Sequence, residues 1–303
     1  MTERKARGTS PSPPTDRVVS IVETLVRSAP ATSADLADAL GLSRSTVGSI
    51  LTALREHGWV RRLPDLSYVL GPSLAGVAEK ARRALPVPDG LDTRIETLAG
   101  RVGCGVALSL VEDGKLAFVA ITEGTGHIPA GIEVGLTLSL QAPGGAAVVA
   151  FADSTMKMKQ RWLDTAPVDR RTQLEKGLAE IVEAGVGVWG ATAADIERID
   201  LLTQVLSHLP NDPASRPLRG RVQGAITDIG GRLYDSATLS CARNLPISYL
   251  SAPVFDSTGR PLWELQIGPL RAAVSPEERE HYIRELKNTA AELSSIQAAA
   301  AVP

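Results

Sequence analysis

Gly41-Leu42-Ser43-Arg44-Ser45-Thr46-Val47-Gly48-Ser49-Ile50-Leu51-Thr52-Ala53-Leu54-Arg55 sets its apolar side chains at Val47, Ile50, Leu51 and Leu54. That i, i+3, i+4, i+7 spacing predicts a helix with one buried stripe. Gly41 suits the left-handed end of a preceding helix, and Ser43 suits an N-cap. The other face holds Arg44, Ser45, Thr46, Ser49 and Thr52, with Gly48 among them and no acidic residue from Ser43 to Arg55. A solvated face usually mixes charge signs, whereas a face that approaches phosphates is free of acid. The first turn of such a helix also points free backbone amides outward, where phosphate binds.

Upstream, Val18, Ile21, Val22, Leu25 and Val26 give Asp16 to Ser28 a helical stripe, which Pro30 stops. Thr32 and Asp35 have the spacing of a capping box, followed by Leu36, Ala37 and Leu40 on one face. Two helices joined by a tight glycine turn make a helix-turn-helix. A plain three-helix bundle needs the same stripes, and the one-signed outer face favours the nucleic-acid reading. Downstream, Trp59-Val60-Arg61-Arg62, a Pro64-Asp65 turn and Ser67-Tyr68-Val69-Leu70 read as a two-stranded wing. Arg61 and Arg62 suit the sugar-phosphate backbone or a minor groove. With Ser33 opening the second helix, the candidate DNA-contacting set is Ser33, Ser43, Arg44, Ser45, Thr46, Ser49, Arg55, Arg61 and Arg62.

The whole chain of 303 residues is 44% apolar, with 32 basic and 34 acidic side chains, an ordinary globular composition long enough for about two domains. Residues 1–85 carry 12 Lys/Arg against 8 Asp/Glu, and the rest carries 20 against 26, so a basic head precedes an acidic body. That asymmetry fits a DNA-binding module on a regulatory or enzymatic domain. Cys104 and Cys241 are too few for a disulfide framework or a multi-cysteine zinc site, and fit a cytoplasmic protein with free thiols. No apolar run has the length of a membrane helix, and Met1 to Pro14 lacks the apolar core of a secretory signal, so no membrane association is expected. Residues 1–15 read as a disordered tail.

Ser73 to Ala84 reads as a helix broken by Pro86-Val87-Pro88-Asp89-Gly90, where the domain boundary is placed. Beyond it, Leu91 to Val102 is helical, and Cys104 to Val111 and Lys115 to Thr122 are strands about an Asp113-Gly114 hairpin turn. Ile132 to Leu140, Val186 to Gly190, Ile247 to Val254 and Pro261 to Gly268 read as further strands. Helices are expected from Gly144 to about Ala152, from Arg170 to Ala184, from Ile196 to Leu209, and after Ser275-Pro276-Glu277-Glu278. Paired strands with helices before, between and after them make an α+β domain with an antiparallel sheet. Ala142-Pro143-Gly144-Gly145 brings bare backbone to a helix start, which either receives an anion such as a carboxylate or allows close helix-to-strand packing.

Asp16 to Ala84 resembles the winged helix-turn-helix of the IclR family of bacterial transcription regulators. The residues that carry the likeness are Ala34-Asp35-Leu36-Ala37, Gly41 to Val47, Leu51, Leu54, Gly58-Trp59-Val60 and Tyr68-Val69-Leu70-Gly71-Pro72. Gly48 and Ser49 depart from it, standing where members often carry a basic or large polar pair. Val134-Gly135, Ala142 to Ala147, Ser251-Ala252-Pro253-Val254-Phe255-Asp256 and Gly259-Arg260 resemble the family's GAF-like effector-binding domain.

The resemblance implies a winged helix-turn-helix domain over 16–72, a linker helix over 73–90 and an effector-binding domain over 91–303. Residues 191–246 stand out as an insertion, lying over the ligand pocket or enlarging a subunit interface. It further implies double-stranded DNA as partner, a pseudo-palindromic operator, a homodimer or homotetramer, and a small organic effector, a carboxylate or an aromatic. The implied ligand-binding residues are Gly144, Gly145, Trp189, Tyr249, Ser251 and Gln266.

His57, His127, His208 and His281 are scattered, and no Cys-x-x-Cys, Gly-x-Ser-x-Gly elbow or P-loop occurs. No metal, cofactor or catalytic residue is therefore expected. A small-metabolite enzyme with a vestigial DNA-binding domain, and an adaptor that works through the insertion, are the alternatives to a transcription regulator.

Overall fold

The computed structural model describes residues 12–84, 87, 90–124, 134–153, 157–209, 215, 218, 221, 222, 225, 229 and 231–300. The chain divides into two compact units, Met1–Leu85 with Leu209–Gly220, and Pro86–His208 with Arg221–Pro303.

In the first unit, α1 (Pro13–Ser28), α2 (Ser33–Leu40) and α3 (Arg44–Glu56) precede a hairpin of β1 (Val60–Arg62) and β2 (Tyr68–Leu70), then α4 (Pro72–Ala84). The first helix begins at Pro13, so residues 13–15 of the expected tail are helical; a proline suits a first turn, whose N–H has no partner in the helix. Residues 1–11 of that tail lie outside the described residues. Thr32 and Asp35 form the reciprocal capping box at the start of α2. Gly41 ends that helix at φ +61, and the Ser43 hydroxyl accepts the Thr46 N–H to start α3. The core gathers Ile21, Leu25, Leu36, Val47, Leu51 and Val60.

The wing is antiparallel, with Val60 opposite Leu70 and Arg62 opposite Tyr68. It is fastened to the end of α3 at two glycines. The Gly71 N–H donates to the Trp59 carbonyl at 2.7 Å, and a Cβ on Gly71 would stand 2.2 Å from the Gly58 carbonyl oxygen. Only a glycine lets the two backbones come so close.

The second unit opens with α5 (Leu91–Val102), β3 (Gly105–Glu112), β4 (Lys115–Thr122), β5 (Thr137–Ser139), α6 (Ala146–Phe151), α7 (Met158–Asp164), α8 (Val168–Ala184), β6 (Gly187–Gly190) and α9 (Ala193–His208). It continues with β7 (Arg232–Leu233), α10 (Ser236–Leu239), β8 (Leu245–Ile247), β9 (Tyr249–Phe255), β10 (Pro261–Gly268), β11 (Arg271–Val274) and α11 (Pro276–Ala300). The main sheet runs β5-β4-β3-β10-β9-β6-β7, and its neighbours pair antiparallel.

Period-two alternation gives this sheet two faces. Val106, Leu108, Leu250, Ala252, Val254, Trp263, Leu265 and Ile267 pack toward Leu98, Leu286 and Leu293 of α5 and α11. Ala107, Val111, Phe118 and Trp189 pack on the other side with Val149, Trp162, Leu178 and Ile181 of α6, α7 and α8.

The structure departs from the sequence reading in several places. The expected strand Ile132 to Leu140 is only β5, an exposed edge strand, and residues 131–133 lie outside the described residues. The expected strand Ile247 to Val254 is two strands in two sheets. They part at Ser248, whose N–H and hydroxyl both donate to the Trp189 carbonyl, at 2.9 and 2.8 Å. The first part, β8, pairs instead with β11, which the sequence reading left out. The helix α7 was also not expected; seven residues carry too few repeats to show a period, and Trp162 anchors it. Within 191–246, α9 starts on a Thr192–Asp195 capping box, and β7 lengthens the sheet beyond β6.

Arg279 is 2% exposed at the start of α11. Its guanidinium donates to the carbonyls of Leu239, Cys241, Arg243 and Val274. One buried cation thus ties α10 and the chain after it to the last helix.

Candidate nucleic-acid interface and effector site

The recognition face of α3 stands clear of the core. Arg44, Ser45, Ser49, Thr52 and Arg55 are exposed, and Thr46 and Gly48 are half-buried. Its hydroxyls are largely turned inward. Ser43 Oγ lies 2.9 Å from Ser45 Oγ and 2.8 Å from Thr46 Oγ1, knotting the first turn. Ser49 Oγ donates to the Ser45 carbonyl at 3.0 Å, and Thr52 Oγ1 to the Gly48 carbonyl at 2.9 Å. The serines thus hold the helix in shape, and Arg44 and Arg55 are the long donors on this face. A Cβ added to Gly48 would meet nothing within 4 Å. Bare backbone there has no packing reason, although a glycine inside a helix costs about 0.5–1 kcal/mol relative to alanine.

Arg61 and Arg62 are exposed on β1, and the Arg62 guanidinium lies 5.8 Å over the Tyr68 ring. That stacking holds the arginine's stem along the wing, against its cross-strand neighbour, at a modest gain. At the wing tip Asp65 accepts from the N–H and the hydroxyl of Ser67, and both bonds lower its pKa. Ser33 is half-buried in the first turn of α2, where Thr32 is the capping residue.

In the second unit, the loop before α6 differs from the reading as an open anion site. Gly145 takes φ +75, and its N–H donates to Glu264 Oε1 at 3.3 Å. The Ala147 N–H donates to Glu264 Oε2 at 2.8 Å. The chain's own carboxylate therefore already sits on these amides. The Gly144 carbonyl accepts from Trp162 Nε1 at 2.7 Å, so this glycine anchors α7. Gln266 Nε2 donates to Glu264 as well.

Trp189 and Tyr249 face each other across β6 and β9 and stack, with ring centroids 5.5 Å apart and planes 11° from parallel. Burial and the nearby Glu264 charge push the Tyr249 hydroxyl well above its ordinary pKa. Ser251 is fully buried, opposite Gln266 on one side and Gly187 on the other. Trp189, Tyr249, Ser251 and Gln266 thus share one face of the sheet, beside Gly145 through Glu264.

Glu264 and Ser109 belong to this group and were missed in the sequence. The available signal was an acid between Trp263 and Leu265, in a strand otherwise apolar enough for a central position. A separate cleft of about 390 Å³ lies at the β6–β7 edge, lined in part by Arg170, Gly190, Thr192, Asp195, Arg232 and Tyr234. Four of those six come from residues 191–246.

Cys104 and Cys241 are free thiols. Among the described residues, no group of His, Cys, Asp and Glu is placed to hold a metal, and no helix is long and apolar enough to cross a membrane.

A winged helix-turn-helix followed by an α+β domain defines the class: a helix-turn-helix head joined to a second, mixed α/β domain. Residues 14–64 match the family model of the IclR helix-turn-helix domain. No curated protein matches the chain in sequence. Among solved structures, the IclR protein of Thermotoga maritima is similar at 18% identity and TM-score 0.63, over 94% of this chain and 98% of that one. An IclR transcriptional regulator of Alicyclobacillus acidocaldarius aligns at 16% identity and TM-score 0.56, over 95% and 100%. An IclR homologue of Microbacterium hydrocarbonoxydans, complexed with 4-hydroxybenzoate, aligns at 18% identity and TM-score 0.57, over 94% and 99%. Residues 14–64 thus form an IclR-type helix-turn-helix domain, and the chain as a whole shares the fold of these solved structures.

Proposed function

We propose that this chain is a transcription regulator that binds a pseudo-palindromic operator as a homodimer or homotetramer, with α3 of each head in a major groove and the wing on the backbone beside it. The observation that carries the reading is the outer face of α3: acid-free, with Arg44 at its start, Arg55 near its end and bare backbone at Gly48 between them. Arg44 and Arg55 then meet phosphates or base edges, and Arg61 and Arg62 grip the sugar-phosphate chain. Ser33, Ser43, Ser45, Thr46 and Ser49 present the helix start to the duplex.

The second domain holds a small organic effector on the sheet face of Trp189, Tyr249, Ser251 and Gln266, close to Gly144 and Gly145. Its buried polar groups support that reading, as does the similar fold of the 4-hydroxybenzoate complex. The effector acts by binding the DNA-competent state with a different affinity from the incompetent one. The β6–β7 cleft supports the insertion as a pocket element rather than as an enlarged subunit interface. The protein acts as a regulator and not as an enzyme.

Titrating the full chain against fragments of its own upstream promoter at several salt concentrations tests this. Tight binding to one fragment that weakens steeply with salt is expected. Equal affinity for every fragment, or a flat salt response, overturns it.

A further inference from the structure

The cleft of about 390 Å³ at the β6–β7 edge has two walls that the fold fixes. Strand pairing sets Arg232 opposite Gly190 and Leu233 opposite Trp189. The Tyr234 ring lies against the bare Gly190 backbone, where a Cβ would stand 1.9 Å from its Cζ, and its hydroxyl donates to the Pro246 carbonyl at 2.7 Å. The second wall is α8, with Arg170, Gln173 and Leu174 at i, i+3 and i+4 on one face. A Cβ on Gly177 would stand 2.4 Å from a Leu233 methyl, so α8 and β7 touch there. Arg170 lies about 10 Å along the helix before that contact, a span that arginine side chains from both walls can close.

The charge of this cleft is not balanced from within. Arg171, beside it in sequence, bonds the Asp164 carboxylate and the Ala166 carbonyl. Arg170 and Arg232 are exposed and, among the described residues, their guanidinium groups have no ion pair or hydrogen bond. Asp195, the acid in the lining, is engaged elsewhere: its Oδ2 accepts the N–H and hydroxyl of Thr192, and its Oδ1 lies 3.6 Å from Arg198. An adjoining opening of about 430 Å³ shares Arg232, Tyr234 and Pro246 and adds Arg243, with no acid in its lining among the described residues. Asp235 stands near Arg232, but its carboxylate accepts the Thr238 N–H at 2.7 Å to start α10. Like charges gathered without a counter-charge draw anions to that edge.

We propose that the β6–β7 cleft binds a small organic anion, a carboxylate on a compact apolar body. Arg170 and Arg232 receive the carboxylate, whose two oxygens match the paired N–H donors of a guanidinium. Half-buried Leu174, Leu233 and Pro246 take the body. The cleft has the volume of a small-ligand site. Inorganic phosphate meets the same arginines but leaves the apolar wall in water. A neutral molecule of the same shape keeps the apolar contact alone. None of Trp189, Tyr249, Ser251 and Gln266 lines this cleft, so it is a second site, and it does not rest on the operator reading.

Cyclohexanecarboxylate and cyclohexanecarboxamide share one shape and differ in charge, so this pair is the probe. Binding to the full chain is followed by ligand-observed NMR and melting temperature at neutral pH and low salt. Wild type is expected to bind the carboxylate about tenfold more tightly than the amide, a preference that shrinks as salt is added. Arg170→Gln and Arg232→Gln are each expected to weaken carboxylate binding about threefold, and the double variant to bring the probes within about twofold. Both side chains are exposed, so the variants are expected to melt as wild type does. Arg161→Gln removes an exposed cation of α7 outside both openings and is expected to change neither probe.

No carboxylate binding, equal binding of the two probes by wild type, a preference that survives in the double variant, or an equal loss in Arg161→Gln overturns the proposal. Ser251→Ala, on the sheet face, is expected to leave carboxylate binding unchanged. Loss of binding there, with the arginine double variant unaffected, assigns the anion to the sheet face and overturns the second site.

Discussion

Glu264 Oε2 lies 2.8 Å from the Ala147 amide, 117 residues away in sequence, and this contact closes the loop that reads in isolation as an open anion site. The glycines before α6 shape that loop around an internal acid. Gly145 is needed there for its positive φ, and because a Cβ would stand 2.4 Å from a Leu140 methyl.

A first prediction concerns pH. Burial raises the pKa of Glu264 above the ordinary carboxylate value, against the three hydrogen bonds that lower it. The native state then holds the proton more tightly than the unfolded chain, so this group's contribution to stability falls as pH rises through the interval between the two values. Asp35, Asp65, Glu277 and Glu278 have the opposite sign: hydrogen bonds lower their pKa, and their contribution is lost as pH falls. Glu264→Gln removes one titration and keeps the shape. Unfolding free energy, wild type minus variant, is expected to decline as pH rises above the ordinary carboxylate value of about 4.3 in urea titrations. A rise there means that the hydrogen bonds outweigh burial.

A second prediction separates the roles along α3. Arg44→Ala is expected to weaken binding to the promoter fragment severely while leaving the melting temperature of the first unit unchanged, since Arg44 is exposed. Gly48→Ala is expected to stabilise that unit by about 0.5–1 kcal/mol, because nothing stands near the new methyl group. If the bare backbone lies against the duplex, the same variant also loses operator affinity. Undiminished affinity in both variants, by fluorescence anisotropy, removes α3 from the interface.

The legibility of this chain followed the range of its interactions. The helices of the first unit, the Thr32 and Ser43 caps and the wing were readable because helical periods, caps and turns are local. The glycine at position 145 and the strand carrying Gln266 were readable as pieces. Their meeting through Glu264 was not, because the partners are joined only by sheet register. The break at Ser248 was hidden for the same reason: Ile247 to Val254 is continuously strand-like, and a carbonyl of β6 divides it. Ser109 looked like any polar residue in an alternating strand.

A third prediction uses the two thiols. Cys104 is buried, and desolvation pushes its thiol up to about 12. The thiolate, which is the reactive form, is therefore scarce at Cys104 at any ordinary pH. Cys241 is half-buried, with its Sγ 3.8 Å from the Arg243 carbonyl. Titration with a chromogenic disulfide near pH 8 is expected to modify Cys241 alone in the native protein, and both thiols after denaturation. Rapid native labelling of Cys104, seen by peptide mass, contradicts its placement.

The fourth prediction concerns the buried cation at the head of α11. Arg279 donates to four carbonyls and no carboxylate, at distances from 2.6 to 3.3 Å. Carbonyl dipoles alone offset the removal of this charge from water, and the arrangement depends on the planar fork of the guanidinium. A lysine keeps the charge but has three donors on one nitrogen for these four carbonyls. Arg279→Ala leaves these carbonyls without their donor and opens a cavity, at a cost of about 3–5 kcal/mol. Arg279→Lys is expected to cost nearly as much, which distinguishes hydrogen-bond geometry from charge. In both variants hydrogen exchange should rise at residues 236–245 before the main sheet loosens, because the guanidinium is what binds that segment to the helix. An Arg279→Lys variant as stable as wild type assigns the role to charge instead.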